Sequence, residues 1–296
     1  EKVTIGLGAS YITSNATLEK MIDTGSLISP TLKAKTDYDS NFKLDGDGSA
    51  FGLNAGVIIR PIEKAQFGVS YRGEYDIEYE GKAAFKHKEA LKAIPVGLGI
   101  TAYDVVSAQM PAKQDGKATL HMPWMLNVGA LYDFSEKWDV SFDFDYIGWS
   151  VYDELTVDFK DNKPFDKQTL KKDWNDSYVL RFGTSCNINE SIAARGGLLF
   201  DKCPVPDETF DPQVPDNHRY GISLGGGYKL GMMHIDASYM LLNFLDREKD
   251  NSIGIDKDIT GDGVVNRFDV PAGYPVANGK YKSYAHLFSV SASYMF

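Results

Sequence analysis

The connections in this chain sort by length, and that sorting restricts the fold more than any single motif. Stretches in which apolar and polar side chains alternate with period two, the pattern of a strand with two unlike faces, are joined in turn by a long segment and a very short one. The long segments are about 13–46, 85–117, 160–173, 201–215 and 246–280, and the short ones lie at Pro61–Lys64, Ser135–Lys137, Asn189–Glu190 and Leu230–Gly231. Strict alternation places every long loop at one end of an up-and-down sheet and every tight turn at the other. Trp138–Tyr146 carries the cleanest pattern: Trp138, Val140, Phe142, Phe144 and Tyr146 alternate with Asp139, Ser141, Asp143 and Asp145. The last stretch repeats it, with Phe288, Val290, Ala292, Tyr294 and Phe296 against Ser289, Ser291, Ser293 and Met295.

About ten such strands follow one another, most of about nine to thirteen residues, the length that crosses a bilayer at a tilt. No helix is needed between them. A soluble β-sandwich has no reason to sort its loops by length, whereas an outer-membrane barrel has long extracellular loops and short periplasmic turns. The expected fold is therefore all-β, an antiparallel up-and-down transmembrane β-barrel occupying 1–296. The mean hydropathy of −0.29 does not oppose this, because a barrel buries only alternate side chains in lipid.

Composition removes other classes. A net charge of −10 with no basic stripe argues against nucleic acid as a partner. The five histidines (His87, His121, His218, His234, His286) are scattered without metal-ligand spacing, and no serine sits in a nucleophile elbow, so no enzyme activity is expected. Cys186 and Cys203 fall near opposite ends of adjacent strands, about ten residues of roughly 3.3 Å apart, which is beyond disulfide reach. Two free thiols without a catalytic role are expected.

Several stretches resemble the FadL-type outer-membrane transporters of long-chain fatty acids and hydrocarbons. They are GSAFGLNAGVIIRP (Gly48–Pro61), FGVSYRGEYDIEYEGKA (Phe67–Ala83), MPWMLNVGALYDFSEKWDVSFDFDYIGWSVYDEL (Met122–Leu155), WNDSYVLRFGTSCNINESIAARGGLLFDKCPVPD (Trp174–Asp207) and VPDNHRYGISLGGGY (Val214–Tyr228), in the family's order. The resemblance implies a bacterial outer-membrane location and passive transport, with ligand bound in an extracellular groove and released sideways. It also implies that these strands are the carboxyl-terminal part of a fourteen-stranded barrel. An amino-terminal plug and the first strands, absent from this chain, would then be partners from the same protein, alongside the ligand and outer-membrane lipid. Phe296 then reads as the terminal aromatic that barrel-assembly machinery recognises.

By the same resemblance the first two long loops form the groove, which assigns Leu27, Ile28, Leu91, Ile94, Val96, Leu98 and Ile100 to an acyl-chain trough. Packing of the two loops against each other is the alternative. A fatty-acid carboxylate needs a cation, and the resemblance places it just before Trp174, at Lys171 and Lys172. Arg181 and Arg195 face inward by parity and are expected to pair with Asp143, Asp145 and Glu74. One local motif stands apart. Asp258, Thr260, Asp262, Val264 (through its carbonyl), Asn266 and Asp269 have the spacing of a twelve-residue calcium loop, with Gly263 at the sharp turn, so a structural Ca²⁺ is expected there. Two rival functions stay open: a general diffusion porin or surface-binding barrel, and a secreted soluble β-sandwich with a calcium loop.

Overall fold

Inside a bilayer every backbone N–H and C=O must find a partner within the protein, and a sheet of long antiparallel strands does this strand by strand. The computed structural model describes residues 2–32, 35–159, 167–212, 214–249 and 278–295. Strands β1 (Val3–Ile22), β2 (Ser40–Ile62), β3 (Ala65–Arg72) and β4 (Tyr75–Lys86) open the chain, with a short helix α1 (Thr24–Ile28) after β1. A small hairpin, β5 (Pro95–Gly97) and β6 (Ile100–Thr101), and helix α2 (Ala102–Gln109) precede β7 (Gln114–Met122). Then come β8 (Met125–Ser135), β9 (Trp138–Ile147), β10 (Glu154–Phe159), β11 (Lys167–Lys171), β12 (Ser177–Asn187), β13 (Ile192–Asp201), β14 (Arg219–Leu230) and β15 (Met233–Phe244). A second small hairpin, β16 (Arg247–Lys249) with β17 (Gly279–Tyr281), precedes the last strand, β18 (Tyr284–Tyr294).

Apart from the two hairpins, the strands form one antiparallel sheet. Its order is β11-β10-β7-β4-β2-β3-β8-β9-β12-β13-β14-β15-β18, with β1 on the other edge of β2. Among the described residues, β18 pairs only with β15 and β1 only with β2. Tight turns join β2 to β3, β8 to β9, β12 to β13 and β14 to β15; the last uses Gly231 at φ 60°, a left-handed conformation glycine takes without a Cβ clash. The long connections gather at the other end.

One face of the lower sheet is apolar and exposed: Ile5 is 74% accessible, Leu7 84% and Val290 76%. Register holds this set together, with Tyr11 opposite Phe51 and Leu7 opposite Ala55. The other face carries Gly56, Ser70, Asn127 and Gly129, aligned across β2, β3 and β8. Aromatic rings mark both margins of the apolar belt. Phe134 packs on Tyr132 and Trp138 at the turn end, and Trp124 lies between Tyr71 and Tyr146 at the loop end. Trp138 and Tyr146 stand eight residues apart on β9, which is roughly 26 Å of strand and about 20 Å across a bilayer at a tilt of about 40°.

Above the upper margin the strands continue, and their polarity reverses. On β2 the exposed Phe51 and Leu53 give way on the same face to Ser49, Asp47, Asp45 and Lys43, while Leu44 and Phe42 occupy the inner face. The neighbouring strands interrupt to achieve the same switch. Tyr71 pairs opposite Ala55, and Tyr79 opposite Gly48, so two odd-numbered tyrosines of β3 and β4 lie on opposite faces. The inserted Gly73–Glu74 shifts the phase, and Pro123–Trp124 does so between β7 and β8, where Leu126 faces out and Ala118 in. The backbone kink at Gly148 completes the row, where a Cβ would fall 2.1 Å from Trp124 Nε1.

Four of the expected loops change: 160–173 contains β11, 246–280 contains β16 and most of β17, and the first two differ as well. The connection after β1 is 23–39 instead of about 13–46, because β1 and β2 stay paired through Ile22 and Ser40. The segment read as about 85–117 contains α2 and the first residues of β7. The two cysteines are free, Cys186 exposed and Cys203 buried. Phe296 and the calcium-loop residues Asp258, Thr260, Asp262, Val264, Asn266 and Asp269 lie outside the described residues.

The lipid-face assignment has a direct consequence. Val290→Arg should cost about 2–4 kcal/mol and abolish heat-modifiable electrophoretic mobility, the mark of an assembled barrel. Ser289→Arg, one residue away on the inner face, should retain it.

Candidate functional site: the loop-end chamber and its rim

The reversal of polarity makes a packed apolar core at the loop end of the sheet, the chamber of the reading proposed below. Phe42 and Phe85 lie across one another on β2 and β4 with ring centroids 5.0 Å apart, and Phe159 of β10 meets Phe42 edge-on at 6.2 Å. Ala83 and Val157 fill between them, and Val106 of α2 and Met110 just after it join the same core. Leu18, Ile22, Ile28, Leu44 and Ala118 complete it. Facing water instead of lipid, the outside of this wall is charged and paired: Lys43 with Asp45 at 2.8 Å, His121 with Asp76 at 2.7 Å, and Lys117 with Glu80. Such exposed pairs contribute little stability each; their role is to make the wall soluble.

Helix α2 is fixed at its start by a capping box. Thr101 Oγ1 accepts from the Asp104 N–H, and the Asp104 carboxylate accepts from the Thr101 N–H at 2.8 Å. The Thr101 hydroxyl also donates to that carboxylate at 2.6 Å, and this bond, with the one from the Thr101 N–H, holds the Asp104 carboxyl below its usual range. Immediately before the cap, the β5–β6 hairpin projects with Val96, Leu98 and Ile100 exposed. Leu98 at its tip has φ 54° and full exposure, an unusual choice where glycine or asparagine normally takes the left-handed position.

The residues assigned to an acyl-chain trough therefore divide. Ile28 packs on the chamber, Leu91 is wholly buried, and Ile94 is half-buried beside α2, its carbonyl accepting the Ala102 N–H at 2.8 Å. Val96, Leu98 and Ile100 form the exposed tip instead. Leu27 lies in α1. The two lysines separate too. Lys171 Nζ sits 2.9 Å from Glu154 on the outside of the wall, and that hydrogen bond raises the lysine above its ordinary range. Lys172 turns inward, 9% exposed, with Nζ 3.6 Å from Asp211 Oδ2.

Lys172 belongs to a second cluster that sequence reasoning missed. The loop after β13 folds back so that Cys203, Val205 and Phe210 pack with Trp174 and Tyr281. Arg247 is the clamp. Its guanidinium donates to Asp207 at 2.6 and 2.9 Å, to the carbonyls of Val205 (3.0 Å) and Asp216 (2.9 Å), and lies 4.4 Å over the Phe210 ring. Lys249 donates to the carbonyls of Glu208 and Phe210, and burial beside Arg247 draws its ammonium below the ordinary lysine range. Burial also pushes the Cys203 thiol up to about 12, which leaves it unreactive. The only signal in sequence was two cations spaced to share a strand face, next to a long loop.

On the inner face below the Phe42–Phe85 core, two arginines have carboxylate partners. Arg181 pairs with Asp145, as expected, and Asn127 bridges Asp145 to Ser70. Arg195 takes Asp236 at 2.6 Å instead of Asp143, Asp145 or Glu74.

An apolar belt edged by aromatic rings, with a polar inner face and long loops gathered at one end, defines an outer-membrane protein of the β-barrel class. The profile of the family described as outer membrane protein transport protein (OMPP1/FadL/TodX) matches residues 1–296. The chain belongs to this family, whose members are outer-membrane transport proteins and not enzymes. It is similar to the long-chain fatty acid transport protein of Salmonella typhi, at 24% identity over 252 residues, 81% of this chain and 56% of that protein. The protein of the same description in Escherichia coli O6:H1 is 26% identical over 253 residues, 79% and 54% of the respective lengths. The chain thus spans about half the length of these relatives. Among solved structures, a Pseudomonas aeruginosa FadL homologue superposes with a TM-score of 0.77 at 20% identity, covering 99% of this chain and 64% of that one. The Pseudomonas putida toluene transporter TodX gives 0.56 at 20% identity, covering 83% and 61%. These structural likenesses concern the fold.

The clamp predicts a local effect. Arg247→Ala removes charge-assisted hydrogen bonds of about 1.5–3 kcal/mol and should accelerate proteolytic cleavage within 202–218 several-fold, with cleavage at the β14–β15 turn unchanged.

Proposed function

We propose that the protein carries hydrophobic compounds, long-chain fatty acids among them, passively across the bacterial outer membrane. The observation that carries this reading is the reversed wall: above the lipid belt the inner face turns apolar, with Phe42, Phe85, Val157 and Phe159. A diffusion porin needs a wet mouth, and a soluble sandwich needs no lipid belt, so the two rival readings leave this arrangement without a purpose. Family membership and the description of the relatives as fatty acid transport proteins support the same reading.

In this mechanism Val96, Leu98 and Ile100 collect the ligand outside, and the tail passes over Ile28 and Ile94 toward the apolar core, with Leu91 packed beneath and Leu27 on the adjoining helix. Of the two expected lysines, Lys172 is the better carboxylate partner, since its contact with Asp211 is long and Lys171 is held by Glu154. Release is sideways into the membrane. The amino-terminal plug implied by the resemblance is the segment that would occupy the glycine- and serine-lined inner face.

Expressed as the full gene in a strain lacking its own fatty-acid transporter, the protein should restore uptake of labelled oleate; no restoration refutes the proposal. Lys172→Gln should weaken oleate binding about tenfold, the loss of one charge-assisted hydrogen bond. The calcium loop is a separate proposal, resting on donor spacing in the sequence. Calcium should raise the melting temperature, and Asp262→Ala should abolish that gain.

A further inference from the structure

Every arginine among the described residues has a hydrogen-bond acceptor except one. Arg60 donates to Thr4, Arg181 to Asp145, Arg195 to Asp236, Arg219 to Asp201 and Arg247 to Asp207. Arg72 has none: its Nε–H is shut off from solvent and has no partner. A buried donor left unmade costs about 1–3 kcal/mol, more when charged, so an orphaned guanidinium N–H asks for an acceptor from beyond the described residues.

Its place in the fold says which kind. Arg72 ends β3, opposite Asn54 and Met125, on the inner face and at the row of strand breaks. Below it the inner face is polar, with Ser70 bonded to Asn127. Above it, on the other side of the Gly73–Glu74 phase shift, the inner face is Tyr75, Ile77, Leu120 and Met122, aligned across β4 and β7. Ile77 is 5% exposed. The acid in the row below, Asp145, is already taken by Arg181 and Asn127, and neither it nor Glu74 forms an ion pair with Arg72.

We propose that Arg72 receives the carboxylate of a single-chain amphiphile whose tail lies upward along Tyr75, Ile77, Leu120 and Met122. A guanidinium offers two parallel N–H donors to a carboxylate, and the apolar-to-polar boundary in the wall matches the one in the ligand. The site is separate from Lys172 at the rim, so a ligand leaving the chamber meets a second cation at the level where the lipid belt begins. This inference rests on the transport reading above and adds the residue that sets the ligand's direction and its preference for an anionic head.

The test compares an acid with its neutral analogue. In the purified full-length protein, equilibrium binding of oleate and of oleyl alcohol is measured for wild type, Arg72→Gln and Arg72→Lys, together with thermal unfolding. Arg72→Gln should raise the oleate Kd at least tenfold and change the alcohol Kd less than twofold. Its melting temperature should equal or exceed that of wild type, because the Arg72 Nε–H has no acceptor among the described residues. Arg72→Lys should recover part of the oleate affinity. An unchanged oleate Kd in Arg72→Gln overturns the proposal and leaves the transport reading standing. Equal weakening of acid and alcohol, or a lowered melting temperature, assigns Arg72 a packing role and also overturns it. A wild-type protein that binds neither compound defeats the transport reading and this inference together.

Discussion

A strand presents side chains to its two faces in strict turn, and that period of two does not change when the strand leaves the membrane. What changes is the solvent outside. Within the belt the outer face must be apolar; beyond it the same face meets water, and the apolar side chains are free to move inside. β2 shows both regimes on one continuous strand, from Ile59 to Phe51 in the first and from Ser49 to Lys43 in the second. The apolar core of Phe42, Phe85 and Phe159 exists because of this exchange. Its outer wall needs charge only for solubility, and paired groups such as Lys43–Asp45 supply it without building a net field.

The exchange also explains which parts of the fold were legible in the sequence. Trp138–Tyr146 and Phe288–Tyr294 could be read because one face stays in lipid throughout, and the tight turns fixed the sidedness. Strand residues 13–22 and 40–46 were read as loop because the pattern inverts there, and an inverted alternation of weakly apolar residues such as Ala16 and Gly46 resembles no alternation at all. The breaks at Gly73–Glu74 and Pro123–Trp124 add a phase shift that periodicity cannot follow. The site was less legible still. Lys171 and Lys172 are neighbours in sequence, yet opposite faces of one strand end send one to Glu154 outside and the other to Asp211 within. Arg247 and Lys249 found their partners in a loop some forty residues away, a pairing that spacing alone does not encode.

The cations at the loop end differ in what burial does to them. Lys249 sits among carbonyls beside another positive charge, and its proton is held less tightly in the folded chain than in the unfolded one. Its contribution therefore runs opposite to that of a salt-bridged lysine: stability rises with pH as the ammonium is lost, in the window between its lowered value and the ordinary lysine range. Lys171 behaves in the other sense, since Glu154 favours its charged form. The two effects act on different loops, so the rim has no single pH response.

In the proposed transport, polarity along the inner wall supplies a direction without an energy source. A tail gains by moving from water into the chamber, at about 0.8 kcal/mol per buried CH₂. That gain is indifferent to which end enters first. The boundary at the row of strand breaks is not indifferent: a head group drawn below it finds Asn54, Ser70 and Asn127, whereas a tail drawn below it loses its apolar surroundings. A cation without an internal partner at that boundary strengthens the distinction for an acid and leaves a neutral hydrocarbon unaffected. On the proposed reading the same wall passes both kinds of compound while orienting only one of them, and the orienting element is a single side chain placed where the strand changes phase.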